Sequence, residues 1–419
     1  MAFNVSAQQN SVATDSLVIK FYAEAHQDLY WFLPQHQNWF SSVVNRLLSG
    51  KSLKTADQWL THIESADSLG IIVNKEQISR IRAVLSSKTE IDPATKAKTD
   101  TLLTDVVLHF IKNLQQGNCR FDYDEISVNR DSLYISQLLK LNFTNSVSNI
   151  IAKLDCKDHN YQVYKKFLRD SVFATDSLKR KTIILAMNYR RFLSMNYQSE
   201  CIVINIPEAE AEYYKNNVLA IKMRIVVGKK TKQTPTIASY IPSITTFPYW
   251  NVPHQIAVDE ILPKVQKDEN YLEQNNYDVV DANGNEVDDA ELNWNHFTKR
   301  NFPYFFRQSS GSDNALGVVK FDLKDPFSIF LHGTSNQKTF SRDYRFLSHG
   351  CIRMEKPFEL ADSLLRGKLD IKGLEAGTTD KKPGIIMLHD KMPVFILYMP
   401  VRIDGEKVTF LKDEYGLIK

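Results

Sequence analysis

Apolar residues recur along this chain with two different periods, and the change falls near residue 200. From about 14 to 198 they return every three to four positions, the spacing of one face of a helix. In HQNWFSSVVNRLLSG, the residues Trp39, Phe40, Val43, Val44, Leu47 and Leu48 share a face, and Gly50 supplies the stop. In DPATKAKTDTLLTDVVLHFIKNLQQGN, Asp92-Pro93 is a cap and first-turn pair, and Leu102, Leu103, Val106, Val107, Phe110, Ile111 and Leu114 form the stripe before Gly117. Shorter helices are expected over roughly 145–155, 160–169 and 176–195. The segment 14–198 therefore reads as an all-helical scaffold domain without chemistry of its own.

From Cys201 the segments become short and rich in β-branched residues: CIVINI, VLAIKMRIVVG, LGVVKFDL, FSIFLHG, GIIMLH and VFILYMPVRIDGEKVTFLK, with Asp404-Gly405 as a hairpin turn. One helix interrupts them, EKPFELADSLLRG, with Pro357 in its first turn and Gly367 at its end. The expected fold class is α+β, with the helical scaffold followed by a mainly β domain over 199–419. Residues 254–310 are too long and too patterned for a simple loop and read as an inserted capping subdomain. Such an insert beside a reaction centre serves as a lid. A variable surface insertion is the plain alternative.

The charge balance narrows the partners. Of 419 residues, 52 are basic and 49 acidic, a net charge of +3 that gives no field for nucleic acid or an anionic membrane. No apolar run reaches the length of a membrane-spanning helix. The opening MAFNVSAQQNS holds Val5-Ser6-Ala7, the small-residue spacing at the end of a trimmed export signal, with an ordinary disordered N-terminus as the other reading. Four cysteines, Cys119, Cys156, Cys201 and Cys351, are too scattered for a disulfide framework or a paired zinc site. The first three lie in or beside apolar segments and read as small core residues.

Cys351 differs, because SHGCIRM surrounds it with Ser348, His349, Gly350 and Arg353. A nucleophilic cysteine needs a base, donors for an oxyanion, and something to orient the base. His332, at the end of the apolar strand FSIFLHGT, is placed to be the base. Gly350 lets backbone approach a ligand, and the amides of His349, Gly350 and Cys351 precede a helix starting near Glu355, as an oxyanion hole requires. A nearby imidazolium would acidify the thiol. A zinc corner from His332, His349 and Cys351 lacks a fourth ligand at suitable spacing, so neither metal nor cofactor is expected.

HGTSNQKTFSRDYRFLSHGCIRM resembles the signature of the L,D-transpeptidases of the YkuD type, with His332 and Cys351 nineteen positions apart. VINIPEAEAEYY, VVGKKTKQTP, PYWNVP, ILPKVQKDENYL and NALGVVKF extend the likeness to the larger periplasmic members that carry a helical scaffold and a capping subdomain. The likeness covers about 200–410 well and the helical half more loosely. It implies Cys351 as nucleophile, His332 as general base, and the Gly333 carbonyl as the group that orients the imidazole. The His349, Gly350 and Cys351 amides would form the oxyanion hole, with Ser348 and His349 shaping the turn. Arg353 would bind a substrate carboxylate or hold the site through a structural ion pair. Tyr249, Trp250 and Asn251 would lie near the cleft mouth, or pack at a strand junction.

Two departures are visible. The stretch 170–200 is too short for the peptidoglycan-binding module that larger members carry there, and Phe330 stands where tyrosine is expected. The implied activity is a metal-free acyl transfer that joins the third residues of two peptidoglycan stem peptides through a Cys351 thioester. Carbapenem-type β-lactams would be inhibitors, and the location would be the periplasm or cell envelope, reached by a signal largely absent from this chain. Hydrolysis of the same acyl-enzyme, its transfer to a protein lysine, and a non-catalytic wall-binding scaffold are the alternatives.

Overall fold

The computed structural model describes residues 53–126, 146–170, 176–196, 199–377 and 382–419. The helix expected over 36–50 and the Val5-Ser6-Ala7 site lie outside them. The described scaffold helices are α1 (Leu53–Glu64), α2 (Lys75–Leu85), α3 (Pro93–Gln116), α4 (Val147–Leu154), α5 (His159–Leu168) and α6 (Ser177–Asn196). Asp92 caps α3 by accepting the Thr95 amide at 2.9 Å, and Pro93 needs no such acceptor. Helices α1 to α4 share one core around Trp59, Leu60, Phe110 and Ile150.

The helical half is not wholly helical. It contributes β1 (Tyr123–Asp124), which adds a parallel edge to the sheet of the second domain. Two residues carry no periodicity, which is why the sequence pattern does not reveal them.

The second domain starts with β2 (Glu200–Asn205), β3 (Glu210–Lys215), β4 (Val218–Gly228) and β5 (Ile237–Thr246). An excursion then builds a separate small sheet from β6 (Trp250–Asn251), β7 (Tyr277–Val280), β8 (Glu286–Val287) and β9 (Phe305–Gln308), in the order β6-β9-β7-β8. It has a core of its own, in which Trp294 stacks on Phe306, and Val258, Leu262 and Leu272 pack around them. The main sheet resumes with β10 (Val319–Asp322), β11 (Phe330–His332), β12 (Phe346–Ser348) and β13 (Ile352–Met354). Helices α7 (Pro357–Leu365) and α8 (Ile371–Ala376) follow, then the long β14 (Gly384–Leu397) and a hairpin of β15 (Val401–Asp404) and β16 (Lys407–Phe410).

The main strands run in the order β1-β5-β10-β11-β13-β4-β3-β2-β14, with β14 also pairing back onto β5, so the sheet closes on itself. Alternation along each strand then separates two cores. Ile202, Ile204, Phe321, Leu331, Ile352, Val394 and Ile396 point inside, where Leu360, Ala361 and Leu364 of α7 pack on them. Cys201, Val203, Ala238, Phe395 and Leu397 point outside and meet Tyr161, Ile183 and Phe192 of the scaffold helices. Cys201 is thus a small packing residue whose burial pushes its thiol up to about 12.

The two domains therefore share an apolar seam. Phe192 is fully buried there, its ring 5.6 Å from Phe395 in an edge-to-face arrangement and 4.8 Å from Phe121. Phe192→Ala is expected to destabilise the protein by about 3–5 kcal/mol, read as a lower urea midpoint. An unchanged midpoint would show that the seam does not hold the domains together.

Candidate active site

Parallel pairing of β11 with β13 sets Leu331 opposite Ile352 and His332 opposite Arg353. Leu331 and Ile352 are fully buried in the inner core, so alternation turns Phe330, His332 and Arg353 to the other face. Antiparallel β10 places Lys320 opposite His332 on that face. Cys351 ends the turn that feeds β13, one residue before Ile352. His332 and Cys351, nineteen positions apart in sequence, are thus placed at the end of one strand and just before the start of its neighbour.

The His332 ring is 4% exposed. Its Nδ1–H donates to the Gly333 carbonyl at 2.6 Å, which leaves Nε2 as the basic nitrogen. Burial, then the nearby Arg353 guanidinium, then the Lys320 ammonium push the imidazole down to about 3, against the carbonyls of Gly333 and Leu316, which favour a bound proton. The ring is therefore neutral at physiological pH and able to accept a proton.

The Gly333 carbonyl is held from behind by Gly317, whose φ is +65. A Cβ on Gly317 would stand 2.8 Å from the Thr334 nitrogen and 2.9 Å from the Gly333 carbonyl carbon. Gly333 itself is roomier, with Pro357 Cγ 3.4 Å from its ideal Cβ position. Gly317 is thus the glycine that the site depends on sterically, and Gly333 acts through its carbonyl.

Cys351 departs from expectation. Burial pushes its thiol up to about 11, while the Phe330 amide and the Lys320 and Arg353 charges pull the other way. With His332 neutral, no imidazolium is present to acidify the thiol, so the resting pair is thiol and imidazole. The Sγ–H points to the Ser328 carbonyl at 3.8 Å. Ser328 has a left-handed backbone, φ +57, held by Asp325, whose carboxylate accepts the Phe327 amide at 2.6 Å and the Ile329 amide at 3.1 Å. The Asp325-Pro326 pair is a turn signal in the sequence, yet nothing there ties it to the thiol.

The turn before Cys351 is internally bonded. Ser348 Oγ donates to the Cys351 carbonyl at 2.6 Å and accepts the Gly350 amide at 3.1 Å. The Gly350 amide is therefore already engaged, which corrects the expectation of three open donors and leaves the flanking His349 and Cys351 amides for that role. A strand, β13, also stands between Cys351 and the helix, which begins at Pro357 rather than near Glu355. Gly350 has φ +124, and Thr234 Oγ1 donates to its carbonyl at 2.7 Å while accepting the Gly228 amide at 2.9 Å. Tyr415 donates to the Gly228 carbonyl at 2.6 Å, so the C-terminal segment braces the same turn. Thr234 and Tyr415 carry no motif that sequence reading would recognise.

The inserted segment meets the turn at His349. His349 Nε2 lies 2.7 Å from Glu260 Oε1 and 3.3 Å from Lys229 Nζ. Glu260 belongs to a π-helical turn, Ala257–Ile261, a local widening that shifts side chains out of α-helical register. Tyr249, Trp250 and Asn251 stand at the start of the insert. Trp250 and Asn251 form β6 opposite Gln308 and Arg307, and Trp250 packs on the inserted core, 6.3 Å from the Tyr277 ring. Tyr249 is exposed, with the Arg307 guanidinium 5.4 Å from its ring. The structure gathers His332, Gly333, Ser348, His349, Gly350, Cys351 and Arg353, and leaves these three at the base of the insert.

A half-buried cysteine just before β13 and a buried histidine at the end of the neighbouring β11 stand next to a braced turn of amides, an arrangement able to support acyl transfer. Residues 199–393 match the family described as L,D-transpeptidase catalytic domain, YkuD, and residues 16–168 match the family described as Scaffold domain. The second half of the chain is thus similar to the YkuD-type L,D-transpeptidase catalytic domain and most of the first half to the Scaffold domain. A Haemophilus influenzae protein named "Putative L,D-transpeptidase" is 29% identical over 334 residues, 76% of this chain and 66% of that relative. The chain thus spans just under two thirds of that relative's length. Among solved structures, the catalytic domain of an E. faecium L,D-transpeptidase acylated by ertapenem is 14% identical, covers 48% of this chain and 99% of that one, and has a TM-score of 0.24. A cysteine mutant of the Enterococcus faecium L,D-transpeptidase is 13% identical, with coverages of 48% and 50% and a TM-score of 0.24.

Two measurements probe this geometry. Alkylation of Cys351 by iodoacetamide should be slow from pH 6 to 8, rise about tenfold per pH unit, and level off only as pH passes about 11. A plateau reached below pH 7 would mean that a thiolate already exists at rest. Gly317→Ala should lower the turnover of any acyl donor about 100-fold by displacing the Gly333 carbonyl, whereas Gly333→Ala should cost far less. Equal losses in the two variants, with circular dichroism unchanged, would contradict the steric assignment.

Proposed function

We propose that this protein is a peptidoglycan L,D-transpeptidase that forms 3-3 cross-links through a Cys351 thioester. The observation that carries the reading is the neutral, Nδ1-tethered His332 on the strand beside Cys351. The likeness of residues 199–393 to the YkuD family supplies the substrate class.

In the first half-reaction, Cys351 Sγ attacks the carbonyl after the third, diamino-acid residue of a tetrapeptide stem while His332 Nε2 takes the thiol proton. Negative charge on the carbonyl oxygen is met by the His349 and Cys351 amides. Collapse breaks the C–N bond, the leaving D-alanine amine receives the proton from His332, and a thioester remains. In the second half, an amine of a neighbouring stem attacks the thioester and gives its proton to His332. The C–S bond breaks, and the proton returns to sulfur. The energy of the broken peptide bond is kept in the thioester, so the exchange needs no nucleotide.

The domain assignment is part of the proposal: 14–198 as scaffold, 199–419 as catalytic domain, and 254–310 as a cap linked to the catalytic turn by Glu260 and His349. Among the described residues, no helix is long and apolar enough to cross a membrane. The proposed location is the periplasm or cell envelope, where stem peptides are found. Carbapenem-type β-lactams are proposed as acylating inhibitors on the strength of the family.

The test is incubation of the protein and of Cys351→Ala with disaccharide-tetrapeptides, with products resolved by mass spectrometry. Dimers joined between third residues, absent with Cys351→Ala and reduced about 10²–10⁴-fold with His332→Ala, are expected. Tripeptide without dimer would move the activity to an L,D-carboxypeptidase. A carbapenem should add its mass to the protein and not to Cys351→Ala, and an unmodified wild-type protein would count against the whole reading.

A further inference from the structure

Pairing across β10, β11 and β13 lines up Lys320, His332 and Arg353 on the face that carries the reaction. Lys320 is not left to wander. Its Nζ lies 2.8 Å from Asp322 Oδ1 and 5.0 Å from the centre of the Phe330 ring. Asp322 is fixed in turn, because its Oδ2 accepts the Ser243 and Thr245 hydroxyls, each at 2.8 Å, from β5. A lysine loses rotamer entropy when ordered, and here the bracket of Asp322, Ser243 and Thr245 fixes it before any ligand arrives. Phe330, whose ring lies 5.6 Å from that of His332, gives the ammonium an aromatic face in place of a hydroxyl.

The ammonium keeps a partly open side. The Lys320 and Asp322 side chains are 24% and 26% exposed, so the pair borders solvent beside the catalytic histidine. Asp322 already accepts three donors, whereas Lys320 has three N–H groups and one carboxylate partner. The unfilled capacity is therefore that of a donor and a positive charge, which fits an anion.

We infer that Lys320 is a specificity-determining residue that binds the side-chain carboxylate of the third stem residue when that residue's carbonyl lies at Cys351. This rests on the proposed function and names the substrate feature that its site selects. The alternative carboxylate, that of the fourth residue, leaves with the amine, and a cation holding it would slow release. A carboxylate on the third residue stays in place through both half-reactions.

Two synthetic tetrapeptides differing by that one carboxylate decide the matter: meso-diaminopimelate at the third position, and lysine, which keeps the amine. The full-length protein should release the fourth residue from the diaminopimelate peptide at least about tenfold faster in kcat/KM, as expected for one charge-assisted hydrogen bond. Lys320→Met should bring the ratio between the two peptides close to one, chiefly through KM for the diaminopimelate peptide. Lys320→Arg should keep a clear preference. Because the readout is a ratio within one variant, a general loss of rate does not mimic the result. If Lys320→Met keeps the wild-type preference, the inference is overturned while the proposed function stands. If wild-type protein cleaves neither peptide, the proposed function fails and the inference with it.

Discussion

Two residues of parallel pairing, Leu331 with Ile352 and His332 with Arg353, hold the reactive groups in register. The chain joining them is long enough that, unpaired, it would leave their separation undefined. So short a pairing needs support on both sides. Strand β10 bonds to β11 through Lys320, Phe321 and Asp322, and β4 bonds to β13 through Val226 and Ile225. Beneath them Phe321, Leu331, Ile352 and Met354 are fully buried, so a slip by one residue would turn apolar side chains outward and His332 inward. The register of the site is therefore enforced by the core and not by the reacting side chains.

The scaffold follows from the same closed sheet. Closing the strands leaves an outer surface, and where that surface is apolar, at Cys201, Val203, Ala238, Phe395 and Leu397, it needs cover. Helices α5 and α6 provide it, and β1 occupies the edge of β5. Around His332 the outer face is charged instead, with Lys320, Asp322 and Arg353. The apolar and polar parts of one surface thus separate structural support from the site.

Period and motif made much of this legible. The change near residue 200 and the strand limits of VLAIKMRIVVG follow from local patterns that act over a few residues. What stayed hidden depends on contacts between distant segments. Glu260 meets His349 across 89 positions, and Tyr415 braces Gly228 across 187. The charge state of Cys351 was misread for the same reason. A neighbouring histidine suggests an acidified thiol, but the outcome depends on burial and on two cations, Lys320 and Arg353, brought in from other strands.

Those cations give the site an asymmetry. Both oppose a proton on His332 and both favour negative charge on Cys351, so they do not stabilise a thiolate–imidazolium pair as a unit. Burial disfavours each charged form by itself. In the empty site the proton therefore stays on sulfur, directed at the Ser328 carbonyl. Under the proposed function an arriving acyl donor would change the balance: its carbonyl would give the negative charge a place among backbone amides, so proton transfer to His332 would be coupled to bond formation instead of preceding it. Such coupling also limits side reactions, because oxidants and stray electrophiles act on thiolates and find few in a resting site of this kind.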